Sequence, residues 1–106
     1  MKKTIYGNLL IDGSFFEGEI IFDEKILSLK KIGNENKNLP KIIPGFIDLH
    51  VHGGGGADIM EGGSAAQTIS KTHARFGTTS FLATTMTAPF HELEVTFNEL
   101  AKSFKH

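Results

Sequence analysis

The sequence contains no cysteine, so a disulfide framework and a thiolate metal site are both excluded. Any metal must therefore be held by nitrogen and oxygen ligands. The sequence also has no excess of either charge, since it contains 11 Lys and Arg and 12 Asp and Glu. This balance gives no electrostatic reason to expect nucleic acid or an anionic membrane as a partner. No apolar run approaches the about 20 residues that cross a bilayer. We expect a soluble, cytoplasmic protein.

Residues 1–41 contain short apolar segments separated by turn residues. Turn signals are present at Gly7–Asn8, at Asp12–Gly13 and at Asp23–Lys25. The polar segment Gly33–Asn38 is typical of an exposed loop. This pattern predicts a small antiparallel sheet or half of a β-sandwich, and we assign residues 1–41 to a partial β-sandwich domain.

From residue 42 onward the predicted order is strand, helix, strand, helix. A strand over residues 41–52 is interrupted by Pro44, and Ser64 with Gln67 fits a capping box that starts the first helix. A threonine-rich strand over residues 78–87 follows, and Pro89 suits the first turn of the second helix. This order favours βαβ units in a parallel sheet, and two such units cannot close a (β/α)8 barrel. We therefore expect residues 42–106 to form only part of a larger fold.

The central motif runs from Pro44 to Asp58 and reads PGFIDLHVHGGGGAD. Because side chains alternate along a strand, Asp48, His50 and His52 are predicted to share one face at its C-terminal end. Neutral imidazoles at this spacing can reach one divalent ion, although two ligands are fewer than a catalytic site uses. The alternative is a pair of hydrogen-bonded histidines at the end of a buried strand. The position at the end of a parallel strand favours the metal site.

Other polar residues near the motif have simpler interpretations. Asp48 either orients a histidine as a second-shell acceptor or is a structural carboxylate held by backbone amides, and we favour the first. The glycines Gly53–Gly56 lack the Gly-Lys-Ser/Thr ending of a phosphate-binding loop, so they predict a mobile or closely packed loop beside the site. Asp58 and Glu61 are interpreted as solvated or loop-capping residues rather than catalytic ones, and His73 as a core histidine with a hydrogen-bond partner.

The segment Pro44–Gly53 resembles the signature of the amidohydrolase superfamily, whose members are metal-dependent hydrolases built on a (β/α)8 barrel. The segments Gly54–Glu61 and Phe76–Thr85 are similar to the N-acetylglucosamine-6-phosphate deacetylase family within it. The resemblance implies an α/β fold class: the first two βα units of a TIM-type barrel, preceded by part of a small β-sandwich domain.

The resemblance also implies an activity and a site. Members of the family hydrolyse the acetamide of N-acetylglucosamine 6-phosphate to glucosamine 6-phosphate and acetate, and His50 and His52 match the histidines that hold a metal. Zinc or iron is implied, with one or two ions per complete site, and an amino-sugar phosphate is the small-molecule substrate. Family members are several times longer, and their proton-transferring and other metal-binding residues have no counterpart here. We therefore expect an N-terminal fragment that is inactive alone and that associates with itself as a homo-oligomer or with the remainder of the fold.

Two other functions fit the sequence. Another amidohydrolase, such as a dihydroorotase-like or hydantoinase-like cyclic amidase, shares the His-x-His motif but usually lacks the long glycine run followed by Ala-Asp. A non-catalytic fragment that assembles with itself through its open strand edges belongs to a different class. Substrate preference separates the first alternative, and metal content measured with mass in solution separates the second.

Overall fold

The structure is a computed structural model that describes residues 1–104. The chain forms two compact units, one from Met1 to Pro44 and one that begins at Gly45. The boundary predicted from the sequence lies between residues 41 and 42, and the last two residues of the predicted second domain lie outside the described residues. The nature of the two units as parts of a sandwich and of a barrel stays a prediction.

The first unit is a four-stranded sheet with the order β3-β2-β1-β4. The strand bounds are β1 Lys3–Ile11, β2 Ser14–Phe22, β3 Ile26–Asn34 and β4 Lys41–Ile42. The first three strands pair antiparallel, and β4 pairs parallel with β1. The predicted antiparallel sheet is therefore confirmed, with a parallel strand added at its edge.

Two of the predicted turns have different outcomes. Asp12 and Gly13 join β1 to β2 with φ values of 48° and 80°, the positive pair that a tight hairpin turn requires, so this prediction is confirmed. Gly7 and Asn8 lie inside β1, and the turn predicted there is wrong. A β-carbon on Gly7 would lie 2.7 Å from the Pro40 carbonyl oxygen, so the glycine permits a close approach of two backbone segments.

The predicted strand over residues 41–52 is also corrected by the structure. Its first two residues form β4 and pair with β1, with Ile42 opposite Leu9. A separate strand, β5, begins at Phe46. Pro44 lies between the two strands and has no N–H group to donate to a sheet, which is a physical reason for the separation.

The second unit contains the predicted βαβ arrangement. Its elements are β5 Phe46–Val51, β6 Gly53–Gly54, β7 Ala57–Asp58, a 3₁₀ turn Ile59–Glu61, α1 Ala65–Ala74, β8 Thr78–Ala83 and α2 Phe90–Ser103. Strands β5 and β8 pair in parallel with α1 between them in the chain, and β6 and β7 form a short antiparallel hairpin. The mixed α/β class is confirmed, whereas the start of a barrel stays a prediction. Within residues 1–104, neither helix has the length and apolar composition needed to cross a membrane.

The capping box forms at a different place from the one predicted. Ser64 precedes α1 but its side chain makes no capping hydrogen bond, so that prediction is wrong. Asp58 and Glu61 form the box instead: Asp58 Oδ1 accepts from the Met60 N–H at 2.8 Å, and Glu61 Oε1 accepts from the Asp58 N–H at 2.9 Å. Their predicted loop-capping role is confirmed, and it orders the chain between β7 and α1.

The core of the second unit is small and lies at the C-terminal end of β5. It is formed by Val51, Ile59, Ile69 and Leu100, with Phe81 among the half-buried residues packed against it. Ile47 and Leu49, which alternate with Asp48 and His50 along β5, are 68% and 69% exposed. The two helices contribute Ile69 and Leu100, which pack next to Val51. On the face of β5 that carries Ile47, Leu49 and Val51, this unit therefore covers only the C-terminal end.

Candidate metal centre

The two histidines of the central motif meet at the end of β5. The Nε2 atoms of His50 and His52 lie 2.8 Å apart, and the rings are nearly perpendicular, with an interplanar angle of 77° and centroids 4.6 Å apart. His50 is exposed and His52, the first residue after the strand, is half-buried. The alternation of side chains along a strand accounts for this convergence, because residues two apart point to the same face.

The hydrogen bonds of His52 define which of its nitrogens carries a proton. Its Nδ1 lies 2.9 Å from the carbonyl oxygen of Thr84, and since a carbonyl can only accept, Nδ1 is the donor. The Nε2 of a neutral His52 is then unprotonated and accepts from the Nε2–H of His50. The two imidazoles are therefore not equivalent: the unprotonated Nε2 of His52 accepts a hydrogen bond, and the Nε2–H of His50 donates it.

The geometry of the two nitrogens can be compared with that of a metal pair. Nitrogens that are each about 2.0–2.1 Å from one ion lie about 2.9 Å apart when the bonds meet at a right angle, and about 3.3–3.4 Å apart at the tetrahedral angle. The observed 2.8 Å fits the right-angled pair and requires only a small opening for the tetrahedral one. The donor set of two imidazoles suits zinc, iron and similar divalent ions.

Asp48 lies on the same strand but contacts the backbone. Its Oδ1 accepts from the N–H of His50 at 3.1 Å. Among residues 1–104 the structure shows no hydrogen bond between this carboxylate and either imidazole ring, so the observed contact matches the alternative of a carboxylate held by a backbone amide. A second-shell role for Asp48 stays a prediction, and the path by which it would act is the His50 backbone.

The glycine run after His52 forms a tight hairpin that packs on α1. Gly55 and Gly56 have φ values of 63° and 81°, which side-chain-bearing residues rarely adopt. His73 on α1 places its Nε2 3.0 Å from the Gly53 carbonyl oxygen, and a β-carbon on Gly54 would lie 2.8 Å from the same nitrogen. The closely packed glycine loop and the hydrogen-bonded His73 agree with the sequence interpretation. The hairpin thereby holds the chain that leaves His52.

A third ligand is not found in the described part of the chain. No group of three or more His, Asp or Glu side chains within residues 1–104 is arranged to hold a metal ion. The site that the structure presents is therefore a pair of imidazole donors, as the sequence motif predicted. The metal role of His50 and His52 stays a prediction.

Sequence reasoning missed Thr84. This residue follows β8, and its carbonyl oxygen, N–H and hydroxyl all bond to the end of β5. In the sequence it is one of several threonines between residues 78 and 87, and no local pattern distinguishes it from its neighbours. Only the parallel register of β5 and β8 brings it to His52.

Several curated relatives of this chain are named as deacetylases of amino-sugar phosphates. The chain is 42% identical over 66 residues to N-acetylglucosamine-6-phosphate deacetylase of Vibrio furnissii, an alignment that covers 61% of this chain and 16% of the relative. It is 51% identical over 47 residues to the deacetylase of the same name from Bacillus subtilis, covering 43% of this chain and 12% of the relative. The chain resembles these deacetylases.

A third relative and a solved structure extend the comparison. N-acetylgalactosamine-6-phosphate deacetylase of Escherichia coli O157:H7 is 36% identical over 62 residues, covering 58% of this chain and 16% of the relative. The crystal structure of N-acetylglucosamine-6-phosphate deacetylase from Pasteurella multocida matches with a TM-score of 0.82 at 21% identity, over 100% of this chain and 31% of that chain. No family model matches the chain.

These comparisons confirm the resemblance read from the sequence. The matched segments span 12–16% of the curated relatives' own lengths, which is consistent with a fragment of a longer fold. The likeness to the Pasteurella multocida structure identifies the fold of this chain with about a third of that protein.

Proposed function

We propose that the chain contributes a metal-binding strand to a deacetylase of N-acetylated amino-sugar 6-phosphates. The complete site would hydrolyse the acetamide of N-acetylglucosamine 6-phosphate to glucosamine 6-phosphate and acetate. The observation that carries this proposal is the 2.8 Å approach of the His50 and His52 Nε2 atoms at the end of a parallel strand. The names of the relatives support the choice of substrate class.

The proposed architecture places β5, α1, β8 and α2 as the first two strand–helix units of a (β/α)8 barrel, and the four-stranded sheet as part of a small β-sandwich. The parallel pairing of β5 with β8 supports the barrel. The fold likeness over 31% of a deacetylase structure supports it further. In such barrels the functional residues lie at the C-terminal ends of the strands, which is where His50 and His52 are found.

His50 and His52 would hold a divalent ion, zinc or iron, with one or two ions in the complete site. When bound, the ion supplies Lewis-acid polarisation of the amide carbonyl. The residues of this chain would bind and orient the ion. His52 offers an unprotonated Nε2, and His50 would become a ligand when its proton moves from Nε2 to Nδ1. Residues 1–104 contain no cluster able to complete the coordination, so we expect the chain alone to be inactive.

The identity of the sugar is open to one specific alternative. The Escherichia coli relative is named for N-acetylgalactosamine 6-phosphate, and its identity to this chain, 36% over 62 residues, is below the 42% and 51% of the two glucosamine-named relatives. Both sugars present an acetamide and a 6-phosphate, so the same histidine pair serves either substrate. Side-by-side assays with the two sugar phosphates decide between them.

The proposal includes a cytoplasmic location and an association with the remainder of the fold or with further copies of the chain. Ile47 and Leu49 on β5, together with Phe97 on α2, are large apolar side chains that remain 57–69% exposed. Ile47 and Leu49 lie two residues apart on one face of β5, and exposed apolar side chains that lie together are typical of surfaces that another element or chain covers. Mass in solution as a function of concentration tests the association.

The deciding experiment transfers the site into an active enzyme. Residues 45–84 replace the matching segment of the Bacillus subtilis deacetylase, and metal content and acetate release from N-acetylglucosamine 6-phosphate are measured. We expect the chimera to retain activity and the double variant His50→Ala/His52→Ala of the chimera to lose metal and at least about 10²-fold in rate, because the positioned Lewis acid is lost. The matched control Ser70→Ala alters an exposed residue of α1 and should leave both unchanged.

Three results would contradict the proposal. An active chimera whose rate and metal content do not respond to the double histidine variant would show that the pair binds no functional ion. Hydrolysis of dihydroorotate or a hydantoin in preference to both sugar phosphates would place the site among the cyclic amidases. A 106-residue chain that binds no zinc and self-associates would instead favour the non-catalytic alternative.

A further inference from the structure

Thr84 connects the end of β8 to the end of β5 through every polar group it has. The residue lies directly after Ala83, the last residue of β8, and is half-buried. Its N–H donates to the Val51 carbonyl oxygen at 2.8 Å, and its Oγ1 lies 3.1 Å from the Val51 nitrogen. Its carbonyl oxygen lies 2.9 Å from Nδ1 of His52. One residue therefore holds both the backbone and the ring at the proposed metal pair.

The direction of each hydrogen bond follows from the donors available. The Thr84 hydroxyl has a single hydrogen, which is directed to the Leu82 carbonyl oxygen at 3.0 Å. Its oxygen is then free to accept from the Val51 N–H, and the Thr84 carbonyl accepts from His52 Nδ1–H. These bonds set where the Thr84 carbonyl stands relative to the imidazole. A change in the Thr84 hydroxyl would therefore act on the His52 ring indirectly, through the position of the Thr84 carbonyl oxygen.

We propose that Thr84 is a positioning residue that holds His52 in its Nδ1–H tautomer, so that the unprotonated Nε2 faces His50. The proposal deepens the proposed function and rests on it for the metal. A bond from the non-ligating nitrogen to a carbonyl is the usual way in which proteins fix the tautomer and orientation of a metal-binding histidine. His50 has the opposite arrangement, since its Nε2 carries the proton that bonds to His52. Thr84 therefore acts on one member of the pair only.

The alternative is that Thr84 only ends the strand, in the way that many threonines do. In that case replacing its hydroxyl would lower stability without changing the proton position on His52. The tautomer is thus a readout that a purely structural role does not move. It is also measured on the metal-free protein, so it is independent of the proposed activity.

The test compares the protein with its Thr84→Val, Thr84→Ser and Thr85→Val variants. Long-range ¹⁵N–¹H NMR spectra of the imidazoles, recorded without metal, report the tautomer of each histidine. We expect His52 to be Nδ1–H in the unaltered protein, to become a mixture in Thr84→Val, and to return to Nδ1–H in Thr84→Ser. Thr85→Val, the same exchange one residue along, should resemble the unaltered protein, and His73 serves as an internal reference.

Zinc binding is then measured for the same set by calorimetric titration. We expect Thr84→Val to weaken binding about 10-fold or more, in line with the loss of a partner behind a metal ligand, and Thr84→Ser to restore it. An unchanged His52 tautomer in Thr84→Val would overturn the proposal, as would an equal effect of Thr85→Val. If Thr84→Val fails to fold, a Thr84→Ser variant that does not keep the Nδ1–H tautomer overturns it as well.

Failure of the two proposals can be told apart. A His52 tautomer that responds to Thr84 in a protein that does not bind zinc would contradict the proposed function and support the positioning of the ring. Zinc binding that is intact in Thr84→Val, together with a shifted tautomer, would overturn the link between Thr84 and the metal.

Discussion

The Nε2 atom of His73 lies 3.0 Å from the carbonyl oxygen of Gly53, which joins helix α1 to the glycine hairpin that follows His52. The same ring occupies the space beside Gly54, where a β-carbon would lie 2.8 Å from Nε2. The hairpin is therefore held against the helix by a hydrogen bond and by close packing at the same point.

This contact predicts a specific cost for a larger residue. Gly54→Ala should lower the free energy of unfolding by about 1–3 kcal/mol, because the imidazole must move away from Gly53 to admit the methyl group. Chemical denaturation measures the change. Gly33→Ala is the control, since no atom lies within 4 Å of its β-carbon position, and it should change stability by less than about 1 kcal/mol. Equal losses in both variants would mean that the His73 contact is not the cause.

The second prediction concerns how much the small core of the second unit contributes to stability, with Ile69 as the probe. Its side chain is 0% exposed and lies in the cluster with Val51, Ile59 and Leu100. Ile69→Ala should destabilise the unit by about 2–5 kcal/mol, because it removes buried methyl groups and leaves a cavity. Val95→Ala removes apolar groups from a side chain that is 61% exposed and should cost less than about 0.5 kcal/mol in thermal unfolding. A comparable loss in Val95→Ala would show that burial of the Ile69 side chain is not the cause.

The third prediction concerns Asn8, whose side chain holds the loop that contains Asn36 and Leu39 in the first unit. Its side chain is 1% exposed, donates to the carbonyl oxygens of Asn36 and Leu39 at 2.7 and 2.9 Å, and accepts from the Asn36 N–H at 2.8 Å. Asn8→Ala should cost about 2 kcal/mol or more, because it leaves several backbone groups without partners. Asn38→Ala, an exposed change in the same loop, should be nearly neutral. Hydrogen exchange at the Asn36 amide would accelerate only in the first variant.

The fourth prediction is that the Glu99–Lys102 pair on α2 makes stability depend on pH. The hydrogen bond and the charge of Lys102 hold the pKa of the Glu99 carboxyl below its ordinary value. Since the folded-state pKa is lowered, the contribution to stability is present above the ordinary carboxyl pKa and is lost as pH falls through the lowered one. Lys102→Met should raise the pKa of Glu99 in an NMR titration, whereas Lys71→Met on α1 should not. An unchanged Glu99 pKa in Lys102→Met would contradict the pairing.

Local patterns predicted those features that depend on neighbouring residues. The Asp12–Gly13 hairpin, the βαβ order and the convergence of His50 and His52 all follow from turn chemistry and from the alternation of a strand. The predictions that failed are those in which a distant segment decides the outcome. Gly7 and Asn8 have turn composition, yet they lie inside β1 because the backbone of Pro40 and the loop at Asn36 bind there.

The amino-acid sequence by itself determined that two imidazoles leave one strand on the same side, since a period of two residues is a property of the extended chain. It did not determine which of them carries an unprotonated Nε2. That difference arises because the parallel register of β5 with β8 brings the Thr84 carbonyl, 32 residues away, to Nδ1 of His52. The proton on each ring is set by the partner that tertiary packing supplies, and this partner is not visible in the local sequence.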